Sequence, residues 1–423
     1  MIQPVFVHAD ILGNTHSVGR LWAHFRRGVQ SASFEYDKSW LTKPGRFSLE
    51  PALKLGAGSF HTRSGKSLFG AIGDSAPDRW GRILIRRKAR HLGREKLTAQ
   101  ISLTEIDYLL QVNDHTRQGA LRFSLEENGP FLTRYDNENC GIPPVILLPK
   151  LLAAADNVTA DRDSSEDIAL LLAPGSSLGG ARPKASVIDK TGILFIAKFP
   201  SNFDESDTVK WEAVALALAE KAGIQTPEWK LESVAGRSIL LLKRFDRKGS
   251  IRIPFLSAMS MIDSIDNEIR SYLELADALR MYGASPLQDM SQLWRRIVFT
   301  ILISNVDDHM RNHGFLYQGT EGWILSPAYD MNPTPTDIRP RILSSAITFN
   351  DNEASLETAF EVADYFGISP ESARLIAYET GISVKNWSIQ AELLGISKKE
   401  IDRMASAFDH RDLSLALKGL SLH

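Results

Sequence analysis

The segment Ser304-Asn305-Val306-Asp307-Asp308-His309-Met310-Arg311-Asn312 gathers acids, amides and a histidine directly after an apolar run. Within it, Asp307 and Asn312 stand at positions i and i+5. At that spacing a loop carboxylate can orient a hydroxyl and accept its proton, while a carboxamide one loop-turn later holds a metal ion. A solvated loop with Asx-type turns has the same composition, so the spacing carries weight only in company. Company comes from Leu325-Ser326-Pro327-Ala328-Tyr329-Asp330-Met331-Asn332-Pro333, which sets a further carboxylate, Asp330, shortly after a strand-like stretch. Phosphoryl transfer needs its main Mg²⁺ ligand there, and carboxylate oxygen suits that hard cation. A turn aspartate before the segment Pro333–Pro335 is the plainer alternative.

Two upstream features fit the same chemistry. Gly175-Ser176-Ser177-Leu178-Gly179-Gly180-Ala181-Arg182-Pro183-Lys184 precedes the strand-like Ala185–Ile188. Its glycines let backbone N–H groups approach phosphate without a Cβ in the way. Pro183 and the lack of a following helix separate it from the P-loop pattern G-x-x-x-x-G-K-[ST], so the expectation is a strand–loop–strand phosphate cover or a simple hairpin turn. Lys198 sits in the apolar strand-like run Ile193–Phe199, where an ammonium is costly unless it meets an anion or snorkels. Glu212, on a helix expected over Val209–Ala222, is its candidate partner, or an exposed helix residue. A glycine loop, a strand lysine, a helix glutamate, a D-x-x-x-x-N loop and a late aspartate occur in the order expected of a protein kinase using ATP and Mg²⁺.

Elements must hold these residues. Val5–Ile11, Ala32–Tyr36 and Ala120–Phe123 alternate as strands between Gly and Asn clusters. Asp78–Leu92 reads as a basic helix whose Trp80, Ile83, Leu84 and Ile85 form an apolar stripe. Its Arg79, Arg82, Arg86, Arg87 and Arg90 face mostly outward, either as a solvated face or toward a protein or nucleic-acid partner. Tyr135–Pro144 reads as a linker, Val145–Ala155 as a helix despite Pro149, and Glu166–Leu172 as another helix. From Leu256 the spacing is helical almost throughout, with Tyr272–Met281, Leu293–Ser304, Leu356–Tyr365, Pro370–Tyr378 and Lys399–Ala407 the clearest helices. The expected fold class is α+β: a two-lobed protein-kinase-like fold with a sheet-containing N-terminal half and an all-helical C-terminal lobe. The expected divisions are 1–125, an N-terminal α+β subdomain; 126–255, a kinase N-lobe with the glycine loop and strand lysine; and 256–423, a helical C-lobe with the catalytic loop.

At 43% hydrophobic and 24% charged residues the chain is globular rather than disordered. A formal net charge of −2 supplies no global field to draw it to nucleic acid or an anionic membrane. With one cysteine, Cys140, no intramolecular disulfide can form, which fits a reducing cytoplasm. The start MIQPVFVHADILGN lacks a basic n-region, and no apolar run reaches the roughly 18 residues of a membrane helix. A cytoplasmic protein without membrane contact is expected.

The segments SSLGGARPK (Ser176–Lys184), ILFIAKFP (Ile193–Pro200), LLLKRFDR (Leu240–Arg247), NVDDHMRNHGFL (Asn305–Leu316) and SPAYDMNP (Ser326–Pro333) resemble those of the HipA family of bacterial toxin kinases. SAPDRWGRILI (Ser75–Ile85) and QGALRFS (Gln118–Ser124) resemble that family's N-terminal domain. The resemblance implies Asp307 as catalytic residue, Asn312 and Asp330 as Mg²⁺ ligands, Lys198 on the ATP phosphates and His309 near the nucleotide. It implies phosphate binding by Ser177, Leu178, Gly179, Gly180, Ala181, Arg182 and Lys184, with Glu212 supporting Lys198. Ser177, with Ser176 beside it, matches the serine that family members autophosphorylate to silence themselves. Leu242–Phe245 matches the adenine hinge, with Lys243 where similar proteins often carry an acid and Phe245 closing the segment. Also implied are a helix-turn-helix antitoxin of the HipB type that carries operator-DNA binding, and a protein substrate such as an aminoacyl-tRNA synthetase. A small-molecule kinase and a DNA-bound co-repressor pseudokinase are the competing expectations.

Overall fold

A computed structural model describes residues 3–95, 102–127, 129–132, 141–172 and 180–418. Its contacts divide into two units, one of Met1–Phe203 with Glu232–Ile265 and one of Asp204–Leu231 with Asp266–His423.

The first unit opens with an antiparallel sheet of β1 (Val5–Ile11), β2 (Asn14–Arg26), β3 (Val29–Tyr36), β4 (Ser59–His61) and β5 (Leu121–Ser124), ordered β4-β3-β2-β1-β5. The turns Leu12-Gly13 and Arg27-Gly28 join the first three strands, and all four of these residues have positive φ. Ile11 pairs with Asn14 and Arg26 with Val29, so both loops are two residues long. Positive φ at both loop positions matches strand twist, and glycine adopts it without steric cost. The strands expected at Val5–Ile11, Ala32–Tyr36 and Ala120–Phe123 are all present, the first with the expected ends, the second starting at Val29 and the third running Leu121–Ser124.

A second sheet, of β6 (Lys184–Ile188), β7 (Leu194–Lys198), β8 (Trp229–Val234) and β9 (Arg237–Lys243), runs in the order β6-β7-β9-β8. It shares one core with the helices Arg79–Glu95, Leu148–Thr159 and Ser165–Leu172, through Trp80, Leu84, Leu151, Ile168, Val187 and Leu241. Burying each large side chain is worth about 1.5–3 kcal/mol. The basic helix is therefore built into this core. Of the five arginines expected to face outward, Arg79, Arg86 and Arg90 are exposed. Arg82 instead forks onto Glu105 at 2.6 Å and lies over the Tyr108 ring, while Arg87 pairs with Asp161 and Asp163. Pro149 does not break its helix: Val145–Leu147 is a 3₁₀ turn, and the proline falls in the first turn of Leu148–Thr159, where no N–H partner is lost. Of the expected linker, 135–140 lies outside the described residues.

Charge binds the two sheets' neighbourhoods together. Asp246 accepts from Arg244, from Arg247 at 2.8 Å and from the Gly119 N–H at 2.8 Å. Burial opposes its ionisation, but the two guanidinium groups outweigh it and hold the carboxyl far below its usual range. Arg117, wholly buried, donates to the carbonyls of Ser75, Leu109 and Val112. Burial pushes its pKa down to about 9.

The second unit is helical. Its helices are Thr208–Lys221, Tyr272–Tyr282, Pro286–Leu302, Leu356–Glu361, Pro370–Val384, Trp387–Leu393, Lys398–Phe408 and Arg411–Leu417, with a hairpin of Gly314–Tyr317 and Trp323–Leu325. Leu356–Tyr365 resolves into an α-helix and a 3₁₀ turn, Ala363–Phe366. Trp387–Leu393 and Arg411–Leu417 are too short for a periodicity signal and had no sequence expectation. Thr208–Lys221 is capped by Asp207 and packs Trp211 near Trp387 and Phe408, whose rings stack at 4.6 Å. Among the described residues no helix is long and apolar enough to cross a membrane.

One group in the first unit titrates near neutrality. Burial pushes the Glu50 carboxyl up to about 7; the Ala71 N–H and Lys66 oppose that shift, and Asp74 and Asp263 add to it. A raised folded-state pKa means the protonated form is favoured by folding, so this stability is present below the ordinary carboxylate pKa and lost as pH rises toward 7. Glu50→Gln keeps an acceptor for Ala71 and cannot ionise. It should raise the Tm at pH 8 by several degrees and leave it unchanged or slightly lower at pH 4, as scanning calorimetry at both pH values would show.

Candidate active site

The helix Pro286–Leu302 buries Leu293, Trp294, Ile297, Val298, Phe299 and Ile301, and this apolar stripe anchors the loop at its C-terminal end. It stops because Ser304 turns left-handed at φ 50°, and Asn305 N–H then closes back on the Thr300 carbonyl at 3.0 Å. The loop beyond alternates sharply in exposure. Asp307 has 64% of its side chain in solvent, whereas Asp308 is buried.

The Asp307 backbone carbonyl accepts from the His309 N–H at 2.8 Å and from Asn312 Nδ2 at 3.2 Å. That bond commits the amide nitrogen of Asn312 and reserves its carbonyl oxygen, the atom a cation can use. The outer carboxylate of Asp307 lies 3.5 Å from Arg339. His309 is half-buried, and its Nδ1 is sealed from solvent with no hydrogen-bond partner among the described residues, as is Asn305 Nδ2.

The loop hangs from Asp308, a residue that the i, i+5 spacing does not single out. Tyr272 donates to it at 2.6 Å, His313 Nε2 lies at 3.1 Å and Thr300 Oγ1 at 3.4 Å. Its own carbonyl accepts from Ser345 at 2.6 Å. Burial works against its ionisation, but His313 and the Tyr272 hydroxyl prevail and hold the carboxyl below its usual range. The doubled acid in Asp307-Asp308, with His313 five positions on, is the available signal: one acid faces out, the other serves as buried acceptor.

Asp330 follows the hairpin, five residues beyond its second strand. Its φ of 60° is left-handed, a conformation aspartate tolerates better than most residues, at a cost on the order of 1 kcal/mol. The flanking residues are stitched to the loop on both sides. Tyr329 donates its hydroxyl to the Arg311 carbonyl at 2.8 Å, Asn332 N–H meets Asn305 Oδ1 at 3.3 Å, and Thr334 N–H meets the Ser304 carbonyl at 3.2 Å. Behind them, buried Arg296 donates to the Ser326 carbonyl at 2.5 Å, and burial lowers its pKa to about 10. The neighbours of Asp330 are thus bonded to the neighbours of Asp307 and Asn312. Among the described residues no three His, Cys, Asp or Glu side chains form a metal cluster. A cation here would rely on Asn312 and Asp330 oxygens plus a ligand's own, the donor set of Mg²⁺ rather than of a soft metal.

In the first unit, Ser177, Leu178 and Gly179 lie outside the described residues. Gly180 has φ 90°, and Ala181 and Arg182 are exposed. Lys184 is buried against Asp78, Nζ to Oδ2 3.1 Å. Lys198 is half-buried and pairs directly with Lys184 across the β6–β7 ladder. Lys243 and Phe245 are half-buried at the end of β9, with Phe245 6.2 Å from the Phe255 ring. Glu212 belongs to the second unit and is buried, so it is no exposed helix residue.

Asp308→Ala would leave the Tyr272 hydroxyl and His313 without their acceptor. It should cost about 2–4 kcal/mol in urea unfolding at pH 7. Because the folded pKa is depressed, that stability is present above the ordinary aspartate pKa and lost as pH falls through the lower folded value, so the difference from wild type should shrink in acid. A difference under about 0.5 kcal/mol at pH 7 would remove Asp308 from this role.

The HipA-like C-terminal domain matches residues 176–387 and the HipA N-terminal domain matches residues 9–112. A Haemophilus influenzae protein provisionally named as a kinase is 26% identical over 222 residues, covering 46% of this chain and 64% of that protein. A Sinorhizobium fredii protein provisionally named kinase Y4dM is 28% identical over 159 residues, covering 34% of this chain and 38% of its own length. The matched segments therefore span less than two thirds of these relatives. Among solved structures, HipA of Shewanella oneidensis MR-1, in a complex with HipB and its operator DNA, aligns over 98% of this chain and 96% of its own with a TM-score of 0.66 at 15% identity. That likeness shows a shared fold. With one domain match alone spanning half of the chain and a second covering most of the residues before it, this protein belongs to the HipA family.

Proposed function

We propose that this chain is an ATP- and Mg²⁺-dependent serine/threonine protein kinase acting as the toxin of a toxin–antitoxin module. The observation that carries the proposal is the pairing of two short segments, Ser304–Asn312 and Tyr329–Thr334, whose mutual hydrogen bonds bring Asp307, Asn312 and Asp330 into one neighbourhood.

In this reading Asp307, the exposed acid of the loop, accepts the proton of the attacking hydroxyl. Asn312 and Asp330 would hold Mg²⁺, whose bound charge offsets that building on the phosphoryl oxygens. Lys198 orients the α and β phosphates with support from Glu212, and His309 lies beside the nucleotide. The segment Ser177–Lys184 covers the phosphates, with Gly180, Ala181 and Arg182 at its described end, and Leu242–Phe245, including Lys243, receives adenine. Residues 1–125 act as the N-terminal subdomain, 126–255 as the N-lobe and 256–423 as the C-lobe. Ser177 is the proposed autophosphorylation site that switches the enzyme off.

Partners are inferred from the family. A helix-turn-helix antitoxin of the HipB type is proposed to neutralise the chain and to carry most of the operator-DNA binding. This accords with a net charge of only −2 and with the solved HipA complex containing HipB and DNA. The substrate is proposed to be a translation protein such as an aminoacyl-tRNA synthetase, phosphorylated in the cytoplasm.

Incubation of the purified protein with γ-labelled ATP, Mg²⁺ and cell lysate tests the reading. Wild type should label itself and a discrete protein band, and Asp307→Ala should lower both rates by about 10²–10⁴-fold with an unchanged circular dichroism spectrum. Transfer by Asp307→Ala at the wild-type rate, or label confined to small molecules, would contradict it. Ser177→Ala should keep the kinase active over time; a phosphopeptide map placing the self-modification elsewhere would refute that assignment.

A further inference from the structure

The helix Arg79–Glu95 carries a charge pattern that its place in the core does not require. At about 100° per residue, Arg79, Arg86 and Arg90 fall within about 40° of one another on its circumference. All three are exposed. Trp80, Leu84 and Ile85 take the other side and are buried. At about 1.5 Å of rise per residue, the row of arginines is about 16 Å long. None of these three side chains meets an acid among the described residues, although their neighbours do: Glu105 engages Arg82, and Asp161 and Asp163 engage Arg87.

In isolation this row is unfavourable. Arg79 stands in the first turn, where the helix dipole is positive and no acidic residue is present. Arg86 lies four residues from both Arg82 and Arg90, and like charges at that spacing destabilise a helix. By contrast Arg280, Arg403 and Arg411, exposed on helices of the second unit, are matched by Asp277, Glu205 and Glu357. The chain carries a net charge of −2, so the row is not a by-product of a basic composition. Unmatched guanidinium groups in a line suit a line of anions.

The chemistry of the row selects among polyanions. A lipid surface would need the helix's apolar side, which the core already holds. Protein interfaces are built around apolar or aromatic anchors, and the apolar residue nearest the row, Ile83, packs against the core. Single strands of nucleic acid stack on aromatic platforms, and this face offers none. A duplex needs neither: it is a stiff rod with on the order of ten phosphates over such a length. Guanidinium groups also grip phosphate at two points. We propose that the face formed by Arg79, Arg86 and Arg90 docks on the phosphate backbone of double-stranded DNA. This goes beyond the kinase reading, because it gives the chain a DNA contact of its own beside that of the antitoxin. In naming DNA over an RNA duplex it rests on the toxin–antitoxin reading, which sets the chain beside operator DNA.

Fluorescence anisotropy of a short labelled DNA duplex of mixed sequence tests this on the full chain without ATP, over about 50–200 mM salt. Arg79→Gln, Arg86→Gln and Arg90→Gln combined should weaken binding about tenfold or more, with an unchanged Tm. The slope of log affinity against log salt should fall by about 2–3, close to one per lost phosphate contact. Arg280→Gln, Arg403→Gln and Arg411→Gln combined remove the same charge and should stay within about twofold of wild type. A row variant that binds like wild type, or a control set that weakens binding as much, would overturn the proposal. So would a wild type that does not bind, an RNA duplex bound as tightly, or a polyglutamate peptide that competes as well as DNA. Self-phosphorylation of the same preparations should be unaffected by either set. Its absence in wild type would sink the kinase reading and leave the DNA result standing.

Discussion

The loop Ser304–Asn312 depends on one buried carboxylate. Asp308 is surrounded by the Tyr272 hydroxyl, His313 and Thr300, and its carbonyl is held by Ser345. A carboxylate so far from water stays ionised only because these groups replace its hydration. With that side chain fixed inward, Asp307 beside it is turned outward. The backbone carbonyl of Asp307 then gathers the amide of Asn312. Two adjacent aspartates thus serve as buried anchor and exposed acid, and the second role depends on the first.

The same division recurs in the first unit. Asp246 among Arg244 and Arg247, Arg117 on three backbone carbonyls, and Asp78 against Lys184 are buried charges that fasten distant segments. Such pairs are weak contributors to net stability, yet removing one partner is expensive. They therefore specify which segments meet more than they add to the fold's overall free energy. The left-handed Asp330 is held in a similar way, its local strain fixed by bonds from Tyr329, Asn332 and Thr334.

Much of this is legible in the amino-acid order. Alternation in Val5–Ile11 and helical spacing in Tyr272–Met281 or Pro370–Tyr378 reflect burial of one face, which leaves its period in the chain. Asp307, Asn312 and Asp330 can be singled out because the chemistry dictates their order and spacing. Pro149 misleads, since its effect depends on which turn of the helix it occupies. Trp387–Leu393 and Arg411–Leu417 escape notice because two turns give no clear period. Buried charges are the least legible. Asp78 and Lys184 are separated by 106 positions, and nothing local distinguishes a solvated arginine such as Arg86 from a paired one such as Arg87. Exposure misleads for the same reason at Glu212, where a buried acid looks like any polar helix residue. The glycine segment's Ser177, Leu178 and Gly179 lie outside the described residues, so their part in the site stands as a proposal.

The proposed chemistry requires Asn312 and Asp330 to share one cation next to Asp307. A crystal structure with Mg²⁺ and a non-hydrolysable ATP analogue measures that directly. The expected result is a metal with Asn312 Oδ1 and an Asp330 oxygen about 2.0–2.1 Å away, and the terminal phosphate completing its shell. A nucleotide bound with its metal on other side chains, or these oxygens too far apart to share an ion, would contradict it.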